Sequence, residues 1–227
     1  MCFSAPASFV AGVSLSAIGV ATIANVERRS ELPFATIPLL FGVQQTVEGV
    51  IWLTFRHEAP LLKQMLTYVY SVFSHVLWPI YIPLALYFLE ATPWRRKTML
   101  AFVAAGISVG FYLLYFLITR PIVAEVASRH IVYISPHFYL APVIVLYVAA
   151  TCFSEFFSSH GFVKLFGGLA LLSFIATYVF HTRALVSVWC FFAALLSVLI
   201  YLHMRYRTLG GFPTNVVTDR ATHSPAS

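Results

Sequence analysis

The chain has 227 residues, 60% of them hydrophobic and only 10% charged, and a mean hydropathy of +0.85, which excludes an ordinary soluble domain. A net charge of +6 would suit a polyanion, but the basic residues stand at the ends of apolar runs, where they orient spans, so nucleic acid is not the expected partner. Cys2, Cys152 and Cys190 are too few and too scattered for a disulfide framework or a CxxC metal knuckle.

Windows of about 20 apolar residues predict an all-α membrane protein, a single bundle of about seven transmembrane helices near 8–26, 34–56, 65–89, 98–118, 138–157, 162–181 and 184–204. The expected partition is a transmembrane domain over 1–207 and a disordered cytoplasmic tail over 208–227, rich in Gly, Pro and Ser. The first span lacks the basic lead of a secretory signal, since Met1 to Val10 carry no charged side chain, and reads as retained.

The second span is unlike the others because it carries Gln44, Gln45 and Glu48 in an apolar context. On a helix Gln44, Glu48 and Trp52 stack at i, i+4 and i+8, and Gln45 joins Glu48 at i, i+3, which makes one polar stripe. A charge at mid-membrane costs on the order of 3 kcal/mol, so Glu48 is expected to be paired, protonated or facing an internal cavity. The bland alternative is that it bonds neighbouring helices as structural glue.

In the third span Tyr68, Ser71, His75 and Trp78 share a face, and Pro79 and Pro83 free backbone carbonyls and can bend the helix beside His75. The fourth offers Gly106-x-x-x-Gly110 as a face for close packing. The joint from Thr119 to Pro136 contains the alternating run His130 to Ile134, more strand-like than helical, which reads as a lid over the outer mouth. His181 ends the sixth span, and Ser187 and Cys190 open the seventh. Glu90, Glu155 and His160 read as solvated near the inner surface.

Lys and Arg are richer on the side holding Arg28, Arg29, Arg95, Arg96, Lys97, Lys164, Arg205, Arg207 and Arg220 than on that holding Arg56, Lys63, Arg120, Arg129 and Arg183. The richer side should be cytoplasmic, with the amino terminus outside and the carboxyl terminus inside. In that frame Glu48 lies about 12 Å and His75 about 15 Å below the outer ends of their helices, so their depths agree. His130, His137 and His181 lie in or above the same outer half. Glu48, His75, His181, His130 and Cys2 are therefore the candidate ligands for zinc or another divalent transition metal. Glu48, Ser71 and His75 are the candidate catalytic residues. Gln44, Gln45, Trp52, Tyr68, Trp78, His137 and Cys190 are the expected pocket. Removal of Met1 would expose Cys2 as a nucleophile or chelator, the alternative being an incidental small residue.

The opening Met1-Cys2-Phe3-Ser4-Ala5, the run Pro38 to Gln45 with Glu48-Gly49, and Ser187 to Ala194 resemble an uncharacterised family of bacterial multi-pass membrane proteins. That resemblance implies about seven spans in a bacterial inner membrane. Ser71-x-x-x-His75 is more weakly similar to the serine–histidine motif of the alkaline ceramidase and progestin/adipoQ receptor zinc hydrolases, although this chain lacks their His-x-x-x-His pair. The similarity implies metal-dependent hydrolysis of a lipid-like amide or ester, with membrane lipids or a small molecule as partner. A proton-coupled transporter or channel using Glu48 and His75 is the alternative, and a membrane sensor or assembly subunit is the third.

Overall fold

The computed structural model describes residues 4–127 and 130–209; Cys2 and the tail beyond 209 lie outside them. Its helices are α1 (Ala5–Ala24), α2 (Arg29–Arg56), α3 (Pro60–Leu89), α4 (Pro93–Thr119), α5 (Ala141–Phe156), α6 (Gly161–Phe180) and α7 (Thr182–Tyr206). A hairpin of β1 (Val123–Ala127) and β2 (His130–Ile134) joins α4 to α5. Among the described residues, six helices are long and apolar enough to cross a membrane, and α5 is shorter. At 1.5 Å per residue α5 reaches about 24 Å, less than the ~30 Å of a bilayer's hydrocarbon. It starts later than the predicted 138 because Pro136–Tyr139 form a 3₁₀ turn and Pro142 sets the helix start.

Proline also stands in the first turn of α1 (Pro6), α3 (Pro60) and α4 (Pro93), where its missing N–H falls among donors that have no intrahelical acceptor. Helices α1 and α2 pack antiparallel through small residues, with Gly12 against Thr46, Ser16 against Gly42 and Gly19 against Leu39. A Cβ on Gly19 would stand 2.5 Å from the Leu39 nitrogen, so only glycine permits that approach.

The prolines inside α3 explain how α4 and α5 seat on it. Over Val72–Leu77 the helix widens into a π turn, and the Trp78 N–H reaches back to the Phe73 carbonyl. In that register the next donor would be residue 79, serving Ser74, but proline has no N–H. Tyr147 of α5 donates its hydroxyl to the Ser74 carbonyl instead. Pro83 in turn leaves the Pro79 carbonyl, one turn back, without its helical donor. Gly106 of α4 lies against that oxygen, where a Cβ would collide with it, and Gly110 lies over Ile80. The expected small-residue face is therefore used, with a Cα–H of Gly106 turned toward the freed carbonyl.

The bundle continues from α5 to α6 at Gly167, and from α6 to α7 where Trp189 Nε1 donates to the Ala170 carbonyl at 3.1 Å. It returns to α1 through Phe191 and Ala11. Besides that pair, two large apolar cores result among the described residues. One, toward the hairpin, contains Ile51, Tyr70, Leu113, Tyr133, Phe138, Tyr147 and Trp189. The other contains Phe34, Phe41, Trp78, Leu86, Met99, Ile200 and Met204. The hairpin closes the first core, pairing Ala124 with Tyr133, and the Tyr133 ring stacks on Tyr70 with centroids 4.3 Å apart.

Substitution at Gly106 tests the α3–α4 contact. Gly106→Ala should overpack the Pro79 carbonyl and destabilise by about 1–3 kcal/mol. Gly168→Ala, whose nearest neighbour is the Phe156 ring at 3.9 Å, should leave the melting temperature in detergent unchanged.

Candidate functional site

A polar layer separates the two cores. On α2, Gln44, Gln45 and Glu48 are fully buried between Phe41 of one core and Ile51 of the other. On α3, Ser71, Ser74 and His75 are buried between Tyr70 and Trp78. On α7, Ser187 and Cys190 are buried in the turns before Ala194. Three helices thus bring polar side chains to one level of an otherwise apolar bundle.

The hydrogen bonds fix the orientation of this layer. Ser187 Oγ donates to Glu48 Oε1 at 2.5 Å, a length in the range of a charge-assisted hydroxyl–carboxylate bond. Trp78 Nε1 donates to Gln44 Oε1 at 2.7 Å, and Trp78 stacks on Phe41 at 3.9 Å between centroids. His75 Nδ1 lies 2.8 Å from Ser74 Oγ, and its ring meets the edge of Phe138, 5.1 Å away between centroids. Cys190 is a free thiol beside Gln44, Tyr70 and Glu48. Among the described residues, His75 Nε2, Ser71 Oγ and both amide atoms of Gln45 have no hydrogen-bond partner. A buried group left without a partner costs about 1–3 kcal/mol, so this level suits a polar ligand or water. Next to the layer is a cavity of about 30 Å³, whose lining includes Trp78, Tyr147, Thr151 and Cys190.

The other expected residues lie apart. Tyr68 packs partly buried on the hairpin-side core, and Trp52 tilts against Phe55, 6.4 Å away between centroids. His130 and His181 face each other at the hairpin end, their rings 5.1 Å apart. Burial, and then the neighbouring His181, hold His130 below the usual histidine range. His137 stacks on Phe116 at 3.6 Å and lines a separate surface hollow with Arg120 and Ser135. Among the described residues no three of His, Cys, Asp and Glu gather as a metal set. Glu48 turns to Ser187 inside the bundle, while His130 and His181 are drawn together by the hairpin.

Two acidic residues read as solvated are buried. Glu90 accepts from Ser159 N–H at 2.7 Å, from Ser159 Oγ and from Thr92 N–H. Burial opposes its ionisation, but these donors outweigh it and hold the carboxyl below the usual range. Glu155 is completely buried, with its carboxyl over Gly167. Sequence reasoning also passed over Ser74 and Tyr147. The signal for both was Pro79, whose missing N–H requires a donor from elsewhere.

Six helices of this length around one buried polar layer define an α-helical bundle of membrane-spanning dimensions. The chain belongs to a family of unknown function (DUF6629), whose model matches residues 1–213. No curated protein and no solved structure matches it.

Tyr147→Phe should leave the Ser74 carbonyl without its hydroxyl donor and destabilise by about 1–3 kcal/mol, read as a lower melting temperature with an unchanged helical spectrum. Glu90 gives a pH dependence. Its folded-state value lies below the ordinary 4.5, so its contribution is complete above that pH and disappears as pH falls through the folded value. Stability measured against pH should accordingly fall less steeply in acid for Glu90→Gln than for the parent protein.

Proposed function

We propose that the protein is a multi-pass membrane protein that carries protons across the bilayer through protonation and deprotonation of Glu48. The observation that carries this reading is the Ser187–Glu48 hydrogen bond within the buried polar layer. A carboxyl at this depth changes its interactions greatly on gaining or losing a proton, because the surroundings offer little solvation. With the carboxylate present, Ser187 donates to it; when a proton is bound, the acid can donate in turn. Trp78 donates to Gln44 and keeps that amide oxygen occupied. The π turn and the two prolines of α3 supply a segment whose hydrogen bonds can rearrange without breaking a regular helix. His75, on that π turn, is the second proton-exchanging group.

In this reading α5 is the seventh span, the hairpin lies outside and the carboxyl terminus is cytoplasmic, in accord with the distribution of Lys and Arg. The resemblance to bacterial multi-pass proteins favours the bacterial inner membrane. Metal-dependent hydrolysis of a lipid-like amide or ester is the second reading. It draws on Ser71 and His75 one turn apart and on the facing imidazoles of His130 and His181. Zinc bound by the purified protein and lost in a folded His75→Ala variant would favour that second reading.

Vesicles containing the purified protein, with a trapped pH indicator and an imposed potassium diffusion potential, test the first reading. The parent should acidify or alkalinise the lumen faster than protein-free vesicles, and Glu48→Gln should reduce that rate at least ~tenfold while remaining monodisperse and helical. Equal rates in Glu48→Gln and parent would refute it.

A further inference from the structure

The Glu48 layer does not account for the second carboxyl buried in the bundle. Glu155 is 0% exposed, and among the described residues neither of its oxygens has a hydrogen-bond partner. It sits one residue before the end of α5, at the end of the bundle opposite the hairpin. Its Oε2 occupies the space left by the missing side chain of Gly167, so α6 makes room for the carboxyl but supplies no donor there. Burying a carboxylate without partners costs several kcal/mol. A packing role would be served at lower cost by leucine or methionine, so the position is better explained by a bound proton.

Polar side chains of α5 and α7 lie on the way from this carboxyl to Glu48. Cys152 lies next to Glu155 on the same helix. Thr151 Oγ1 is 3.8 Å from Cys152 Sγ and donates to the Tyr147 carbonyl at 2.8 Å. Tyr147, Thr151 and Glu155 stand at successive turns of α5, and Cys190, within electrostatic reach of Tyr147 and of Glu48, shares a cavity with Tyr147 and Thr151. Tyr147, Thr151 and Cys190 all line the cavity of about 30 Å³, whose wall is otherwise mostly apolar, so a water there would be held by these three side chains. A π turn over Ala149–Phe153 interrupts the regular helix at this same level, and such turns are frequent at functional sites.

We infer that Glu155 is a second proton-binding carboxyl, and that protons pass between it and Glu48 along Cys190, Tyr147, Thr151 and the cavity they line. The inference rests on the proton-coupled reading of Glu48. In the transfer step the acid at one end gives up its proton and becomes a carboxylate, and the carboxylate at the other end becomes the acid. No bond to carbon changes and no electron is transferred. Ions crossing elsewhere in the membrane balance the charge. Among the described residues Cys152 on its own helix and Gly167 on α6 lie against Glu155, the end of α3 packs on the last turn of α5, and Glu90 just beyond it is committed to Ser159 and Thr92.

The vesicle assay, applied to Glu155→Gln and Thr151→Val beside Glu48→Gln and the parent, tests the route. Glu155→Gln should lower the proton flux at least ~tenfold, and Thr151→Val, close in shape, should lower it severalfold while remaining monodisperse and helical. If Glu155→Gln does not fold, Thr151→Val decides by the same reading. Parent-like flux in these variants while Glu48→Gln is silent would overturn the route and leave the role of Glu48 standing. A parent without flux would overturn both.

Discussion

The bond from Ser187 to Glu48 sets the problem that the rest of the bundle solves. A carboxyl in a membrane-length helix must be given partners by other helices, because neither lipid nor its own backbone can supply them. Ser187 reaches it only if α7 lies against α2 at that level, and the Trp78–Gln44 bond fixes the rotation of α3 against α2 in the same way. The three helices are thereby held in one register, with an apolar core above and another below. Polar pairing of this kind contributes modest stability per bond but excludes alternative rotations, since each would leave a buried polar group unpaired.

A second constraint comes from the backbone of α3. Proline at 79 and 83 removes two donors from the middle of the helix, and the deficit is met from outside by Tyr147 and by the close approach of Gly106. The helix that carries His75 is consequently tied to α4 and α5 through the very carbonyls that proline frees. The π turn keeps local hydrogen bonding possible while changing its register. A segment held by such exchangeable contacts is suited to small rearrangements around His75, whereas a regular helix would resist them.

Much of this was legible in the sequence. Membrane-length helices reveal themselves by apolar length alone, and a Gln/Glu stripe at i, i+4 spacing declares an interior face. The strand character of His130 to Ile134 was visible as alternation, and the structure pairs it as a hairpin. Glu155 was not legible, because it lies beside Ser158 and Ser159 at the end of an apolar run. Its burial depends on a glycine of another helix, and no local pattern encodes that. The facing of His130 and His181 is likewise a product of where the hairpin folds back. Equal depth along two helices suggested that Glu48 and His75 belong to one level, but the side-chain partners, Ser187 and Ser74, follow from helix rotation.

The central claim is that Glu48 exchanges a proton while bonded within the bundle. Infrared difference spectroscopy of the carboxylic-acid band, recorded as pH is stepped across the parent protein, Glu48→Gln and Ser187→Ala, tests it most directly. The account predicts a pH-dependent carboxylic-acid band in the parent that is missing from Glu48→Gln and displaced in frequency in Ser187→Ala, where its hydroxyl partner is gone. A parent spectrum identical to that of Glu48→Gln throughout the pH range in which the protein stays folded would contradict it.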